Sequence, residues 1–85
     1  VNFPTISLER TEGIRISVAN RNVPKMLGQV LSVLANRNIN VIDMINKSRG
    51  DVAYNLIDVA APIPAELAAE MRRINSVINV RVFDQ

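Results

Sequence analysis

The residues best suited to bind a small ligand lie in a polar turn between a predicted strand and a predicted helix. This turn reads Asn20-Arg21-Asn22, and Pro24 follows in what would be the first turn of the helix. The N-terminus of a helix presents N–H groups without partners and the positive end of the helix dipole, so it favours carboxylates. Asn22 is also a good helix cap, because its side-chain oxygen can accept from those N–H groups. The turn is therefore a predicted carboxylate site.

Two hydrophobic patterns predict the elements that position this turn. Before it, Ile14, Ile16 and Val18 alternate with Arg15, Ser17 and Ala19, which is the period of a strand with one buried face. After it, the apolar spacing changes to i, i+3, i+4, i+7 and predicts a helix from about residue 24 to 37. The predicted core stripe of this helix consists of Leu27, Val30, Leu31 and Leu34. Asn38 is placed to end the helix in a left-handed conformation.

The rest of the chain predicts two more strands, a second helix and a last strand. The strands cover residues 39–47 and 52–59 around a turn at Gly50, the helix 62–74, and the last strand 77–83. This order predicts an α+β, ferredoxin-like βαββαβ sandwich, in which a four-stranded antiparallel sheet carries two helices on one face. Ile57 and Val59 are expected to face the core, because Asp58 would be costly to bury. Ile78, Val80 and Val82 are the predicted core residues of the last strand.

Composition argues against several classes of function. The 85 residues include no cysteine and no histidine, which removes disulfides, zinc sites of the usual kind and the common general base. Asp43, Asp51 and Asp58 fall on separate elements and form no convincing carboxylate pair or metal cluster. No catalytic residues are predicted. With two Phe and one Tyr, the stacking surface of RNA-recognition modules is missing, so we expect no nucleic-acid partner. No apolar run is long enough to span a membrane, and no membrane partner is expected.

Four segments of the chain carry a resemblance to a known family. They are Val1-Asn2-Phe3-Pro4, Asn20-Arg21-Asn22-Val23-Pro24, Asn38-Ile39-Asn40-Val41 and Lys47-Ser48-Arg49-Gly50-Asp51. Together with the predicted topology they resemble the C-terminal ACT domain of the D-3-phosphoglycerate dehydrogenase family. The resemblance implies an ACT regulatory domain over residues 11–85, preceded by an extended linker, residues 1–10, from a catalytic part outside this chain.

The same resemblance implies a function. Parent enzymes of this family oxidise D-3-phosphoglycerate with NAD at the start of serine synthesis, so NAD belongs to the parent enzyme and no cofactor to this piece. Their ACT domains pair side by side as homodimers and bind L-serine at the seam, which slows the catalytic domains. A cytoplasmic location is expected.

The resemblance also assigns site residues. Asn22, with the backbone N–H groups near Val23 and Lys25, would hold the serine carboxylate, and Asn40 of the other protomer would hold the amino group. Asn20 occupies a position that is often histidine in the family, and Lys25 one that is commonly glycine. These two departures leave alternatives open. The chain could be an ACT-type oligomerisation module that binds no ligand, or the ACT domain of another enzyme of amino-acid metabolism.

Overall fold

A computed structural model describes residues 13–60 and 62–84 of the chain. The expected linker, residues 1–10, lies outside this described part. The elements are β1 (Ile14–Arg21), α1 (Met26–Asn36), β2 (Val41–Arg49), β3 (Val52–Val59), α2 (Leu67–Arg72) and β4 (Val77–Asp84). This βαββαβ order confirms the predicted ferredoxin-like fold.

The four strands form one sheet in the order β2-β3-β1-β4, and all neighbours are antiparallel. β2 and β3 pair from Arg49 opposite Val52, so the connection between them is only Gly50 and Asp51. Gly50 adopts a φ of +61°, as a tight hairpin of this kind requires. β2 and β4 are consequently the two edges of the sheet.

The core lies between the helices and one face of the sheet. Its buried side chains from the sheet and α2 include Ile14, Ile16, Val18, Ile57, Val59, Leu67, Met71 and Val80. Ile57 and Val59 face the core as predicted. The buried residues of α1 are Met26, Val30, Val33 and Leu34.

The core stripe of α1 differs from the predicted one in part. Val30 and Leu34 are buried, but Leu27 and Leu31 are only partly buried, and Met26 and Val33 take the core positions instead. The helix begins at Met26 rather than at Pro24, because residues 24 and 25 form a turn. α2 is also shorter than predicted and ends at Arg72, while Ile74 packs against the core from the following turn.

The prediction for β4 is wrong at two of three positions. Val80 is buried, whereas Ile78 is 57% exposed and Val82 is 41% exposed. β4 is an edge strand, and its only described helical neighbour with extensive contact, α2, is six residues long. A helix of that length spans about 9 Å, so it leaves Val82 uncovered near the end of the strand. At Ile78 the pairing with β1 shifts register, and Val77 packs against the core instead.

Asp58 is fully buried, contrary to the expectation that burial of this carboxylate would be avoided. It lies on the sheet face opposite the core residue Ile57. Arg15, its cross-strand neighbour, donates to it twice, from Nε at 2.7 Å and from Nη2 at 2.9 Å. This hydrogen bonding raises the pKa of Arg15, although burial opposes the rise. The bidentate pair makes the burial of the carboxylate tolerable.

Within the described residues, no helix has the length and apolar character needed to cross a membrane. The same residues contain no group of three or more potential metal ligands from His, Cys, Asp and Glu.

Candidate functional site

The turn after β1 is attached to the hairpin between β2 and β3. The Asn22 N–H donates to the carbonyl of Asp51 at 2.8 Å, and Asn22 Nδ2 donates to the carbonyl of Gly50 at 3.3 Å. The Val23 N–H donates a hydrogen bond to the carbonyl of Arg21 at 2.9 Å. These bonds fix the path of the chain between β1 and α1, and they engage the Val23 N–H that the family resemblance assigned to the ligand.

Lys25, and not Asn22, occupies the cap position of α1, so the predicted capping role of Asn22 is wrong. Lys25 has a left-handed backbone with φ of 70°, and no side chain caps the helix. The reason is geometric: the turn at Pro24 and Lys25 places Asn22 too early in the chain, and its side chain reaches the hairpin instead. A left-handed conformation favours glycine, which is the residue that the resembling family commonly has here.

We predict that Lys25→Gly raises the free energy of unfolding by about 0.5–1 kcal/mol, because a left-handed residue with a Cβ carries strain of roughly 1–2 kcal/mol and glycine's greater freedom in the unfolded chain offsets part of the relief. Lys25→Ala is the matched control, since it removes the amine but keeps the Cβ. Urea unfolding of the three proteins measures the effect. Equal stabilisation by alanine and glycine would show that the charge, and not the backbone, is responsible.

A cavity of about 200 Å³ lies between this turn, the start of α1 and the sheet. It is smaller than the ~300–1,000 Å³ of pockets for drug-sized ligands and equals roughly seven water volumes of ~30 Å³. A ligand of that size is a small molecule such as an amino acid. The lining residues are Asn20, Asn22, Val23, Lys25, Met26, Leu27, Gly28, Asn46, Ser48, Ala53 and Asn55.

The helix end at this cavity favours an anion. The first turn of α1 contains no acidic residue, and the first three residues of the helix all line the cavity. Their N–H groups have no acceptor within the helix, because the first intrahelical bond is donated by Gln29 to the carbonyl of Lys25. The arrangement can accept a carboxylate.

Asn20 forms the floor of the cavity at the end of β1 and is 2% exposed. Its Nδ2 donates to the carbonyl of Arg21 at 2.8 Å, and its Oδ1 accepts from Asn55 Nδ2 at 2.8 Å. The amide is therefore held in one orientation by the protein itself.

Sequence reasoning missed three polar residues of the cavity: Asn46, Ser48 and Asn55. A signal for Asn55 was present, because it shares a strand face with Ile57 and Val59, which were predicted to point inward. An inward asparagine needs hydrogen-bond partners. Asn46 pairs directly with Asn55 across the hairpin and supplies one of them.

Asn40 does not line this cavity. It lies between α1 and β2, its carbonyl accepts from the Ala60 N–H at 2.9 Å, and it borders a separate cavity of about 550 Å³. Asn40, directly before β2, and Ser48, near the end of β2, are eight residues apart, which corresponds to roughly 26 Å of extended chain. Within one chain, the structure therefore brings together Asn20, Asn22, Val23 and Lys25 and leaves Asn40 at the other end of the strand.

Comparison with solved structures defines the class of fold. The ACT domain of a GTP pyrophosphokinase from Chlorobium tepidum superposes with a TM-score of 0.71 over 86% of this chain and 100% of that one, at 13% identity. The regulatory subunit of aspartate kinase from Thermus thermophilus gives a TM-score of 0.67 over 85% of this chain and 50% of that one, at 17% identity. The chain has the ACT domain fold.

Sequence comparison then identifies the type of ACT domain. The chain is 36% identical over 91 aligned residues to a protein of Schizosaccharomyces pombe named as a D-3-phosphoglycerate dehydrogenase, a match that covers 98% of the chain and 19% of that protein. It is 29% identical over 80 residues to D-3-phosphoglycerate dehydrogenase 2 of Saccharomyces cerevisiae, which covers 88% of the chain and 17% of the relative. No protein-family model matches. The chain spans about a fifth of these relatives and is an ACT domain homologous to the C-terminal part of D-3-phosphoglycerate dehydrogenases.

Proposed function

We propose that this ACT domain is a serine sensor that binds L-serine at the seam of a homodimer and thereby regulates the dehydrogenase of which it is part. The observation that carries the proposal is the cavity at the start of α1. Four of the five residues assigned to the ligand from the sequence line it, namely Asn20, Asn22, Val23 and Lys25. The open helix end would take the carboxylate, together with Asn22 and the backbone at Lys25.

The fifth residue, Asn40, requires a second protomer, and the β2 edge provides a way to bring it in. Two β2 strands paired antiparallel about a two-fold axis would form a continuous sheet across the dimer. With the axis near Met44, Ser48 of one protomer would lie close to Asn40 of the other, since each is four residues from Met44. The register shift between Val41 and Asp43 displaces Asn40 by about one position from an exact pairing. Ser48 lines the cavity, so the second Asn40 would arrive at its open side.

The backbone of β2 is suited to this pairing. The Ala60 N–H donates to the Asn40 carbonyl, so the backbone groups of Ala60 point toward β2. By alternation the backbone groups of Asp58, and of the other even-numbered residues of β3, point toward β2 as well. By the alternation of antiparallel ladders, Met44, Asn46 and Ser48 then direct their backbone groups to the open edge. Asp43 Oδ1 already accepts from the Met44 N–H at 2.8 Å, so pairing would have to displace this exposed contact.

The other edge, β4, is less suited to pairing. The Arg21 N–H donates to the Ser76 carbonyl, so the odd-numbered residues of β1 direct their backbone groups toward β4. Val80 lies opposite an even-numbered residue of β1, and its backbone groups therefore point away from β1. Arg72 Nη2 donates a hydrogen bond to the Val80 carbonyl at 2.7 Å. A register shift between Ala19 and Asn20 adds a bulge near Ile78. Capped groups and bulges are the usual protection of an edge strand against pairing, which favours β2 as the dimer edge.

The parent enzyme is proposed to be an NAD-dependent oxidoreductase that acts on D-3-phosphoglycerate in the cytoplasm, on the strength of the two dehydrogenase relatives. NAD and the catalytic residues would belong to the catalytic domains, outside this chain. The ACT domain would then contribute regulation alone, through a coupling between serine and the catalytic domains of typically ~1–3 kcal/mol.

Calorimetric titration with L-serine tests the proposal. We expect binding by the native chain, and affinities about ten- to a hundredfold weaker in Asn22→Ala and in Asn40→Ala, because each loses a hydrogen bond to a charged group of the ligand. Asn36→Ala, on the exposed end of α1, is the matched control and is expected to bind normally. Light scattering should report a dimer in all four proteins.

A dimer that gives no heat with millimolar serine would refute the sensor. The chain would then be the second candidate, an assembly module without a ligand. The lysine at position 25 favours that candidate, because it adds bulk beside the cavity where the resembling family commonly has glycine. Heat with another amino acid and none with serine would instead indicate that this ACT domain senses a different amino acid.

A further inference from the structure

Three asparagine side chains form a row under the cavity, one from each of three neighbouring strands. Asn46 of β2 pairs with Asn55 of β3, and Asn55 lies diagonally across from Asn20 of β1. Asn20 and Asn55 are each 2% exposed, whereas Asn46 is exposed at the β2 edge, and all three line the cavity. We refer to these three residues as the asparagine row.

The backbone fixes the direction of every hydrogen bond in the row. The carbonyl of Arg21 can only accept, so Asn20 must present its nitrogen there and its oxygen to Asn55. Asn55 must then present its nitrogen to Asn20, at 2.8 Å, and its oxygen to Asn46. Asn55 Oδ1 accepts from Asn46 Nδ2, which completes the row. A second carbonyl, that of Val18, lies 3.4 Å from Asn55 Nδ2 and agrees with this orientation.

This direction leaves a different polar atom available at each end of the row. At the β2 edge, the nitrogen of Asn46 is committed to Asn55, so its Oδ1 remains as an acceptor beside the cavity. At the buried end, Asn20 Nδ2 carries a second hydrogen beyond the one given to Arg21. The cavity therefore offers an acceptor toward β2 and donors toward β1 and α1, which matches the ammonium and the carboxylate of an α-amino acid.

We propose that Asn46 is the specificity-determining residue that accepts a hydrogen bond from the ligand's α-ammonium, and that Asn55 is the positioning residue that orients the row. This inference rests on the proposed amino-acid binding and extends it. It assigns the ammonium an acceptor within the same protomer, in addition to the Asn40 of the second protomer. The cavity then selects α-amino acids over the corresponding α-hydroxy acids.

The test compares L-serine with L-glycerate, which has a hydroxyl in place of the ammonium. A hydrogen bond to a charged group is stronger than one to a neutral group, so the native chain should prefer serine. In Asn46→Leu, which changes an exposed side chain, we expect serine affinity to fall about ten- to a hundredfold and glycerate affinity only a few-fold. The serine-to-glycerate ratio should therefore fall about tenfold.

Asn55→Leu tests the positioning role of Asn55. Leucine has a similar volume but can neither donate to Asn20 nor accept from Asn46, so the amide of Asn46 loses its fixed orientation. We expect both ligands to weaken and the serine-to-glycerate ratio to fall toward that of Asn46→Leu. The side-chain amide resonances of Asn46 and Asn20 in NMR spectra report whether each amide keeps its environment.

The outcomes separate the two proposals. Serine binding by the native chain with an unchanged ratio in Asn46→Leu overturns the role of Asn46 and leaves the serine sensor intact. A ratio in Asn55→Leu that stays at the native value overturns the positioning role of Asn55. A native dimer that binds neither serine nor any other amino acid overturns the sensor and, with it, this inference.

Discussion

Asp58→Ala is expected to lower the free energy of unfolding by about 3–5 kcal/mol, because breaking a buried ion pair from one side leaves the other charge poorly compensated. Asp58 is fully buried, and Arg15, whose side chain is 13% exposed, donates two hydrogen bonds to it. A domain of this size has a total stability on the order of 5–10 kcal/mol, so the variant would lie close to unfolding at room temperature. Urea unfolding followed by circular dichroism measures the loss.

Two control variants define the cause of that loss. Glu70→Ala removes the partner of Arg37 in a more exposed pair with an N–O distance of 2.6 Å, and it should cost less than about 1 kcal/mol. The double replacement Arg15→Met with Asp58→Leu removes both charges and should recover much of the stability. If the double variant were as unstable as Asp58→Ala, loss of packing and not an uncompensated charge would be the cause.

Leu34→Ala is expected to cost about 2–5 kcal/mol, the usual range for truncating a leucine in a close-packed core. Leu34 is 1% exposed and packs where α1 meets the sheet. Its effect on serine binding should be limited to the loss of folded protein, because it does not line the cavity. Thermal unfolding with and without serine measures both quantities.

Leu27→Ala is the informative comparison, because the same sequence pattern placed Leu27 and Leu34 in one stripe. Leu27 is only partly buried and lines the cavity, so its truncation should cost clearly less stability than that of Leu34 and should alter ligand affinity. Equal losses of stability from the two substitutions would mean that the original stripe was right and that α1 is rotated relative to the structure described above.

Hydrophobic periodicity was sufficient to predict the fold, since each strand and helix was identified by type and order. It was less reliable for helix boundaries and for edge positions. α1 begins two residues later than predicted because Lys25 adopts a left-handed backbone, which nothing in the pattern of Leu27 to Leu34 indicates. Val82 alternates correctly for a buried face, but whether a helix covers it depends on the length of α2 and not on β4 itself. Ile78 is displaced from the core face by the register shift against β1, which the pattern of β4 does not reveal.

The cavity was predictable in location but not in composition. The Asn20–Asn22 turn and the helix end are adjacent in sequence, so local reasoning found them. Asn46 and Asn55 come from the hairpin, and only the register of β1 against β3 brings them beneath the turn. The burial of Asp58 was missed for a similar reason, because its compensating partner Arg15 is 43 residues away in sequence.

A hybrid dimer is the most direct test of a serine site that combines Asn22 of one protomer with Asn40 of another. Co-expression of Asn22→Ala and Asn40→Ala chains carrying different tags, followed by purification through both tags, yields dimers with one of each. In such a dimer one site retains both asparagines and the other has neither. We predict one tightly bound serine per hybrid dimer, two per native dimer and none in either parental variant. A hybrid dimer with no tight site, or a parental variant that keeps both, would contradict the shared site.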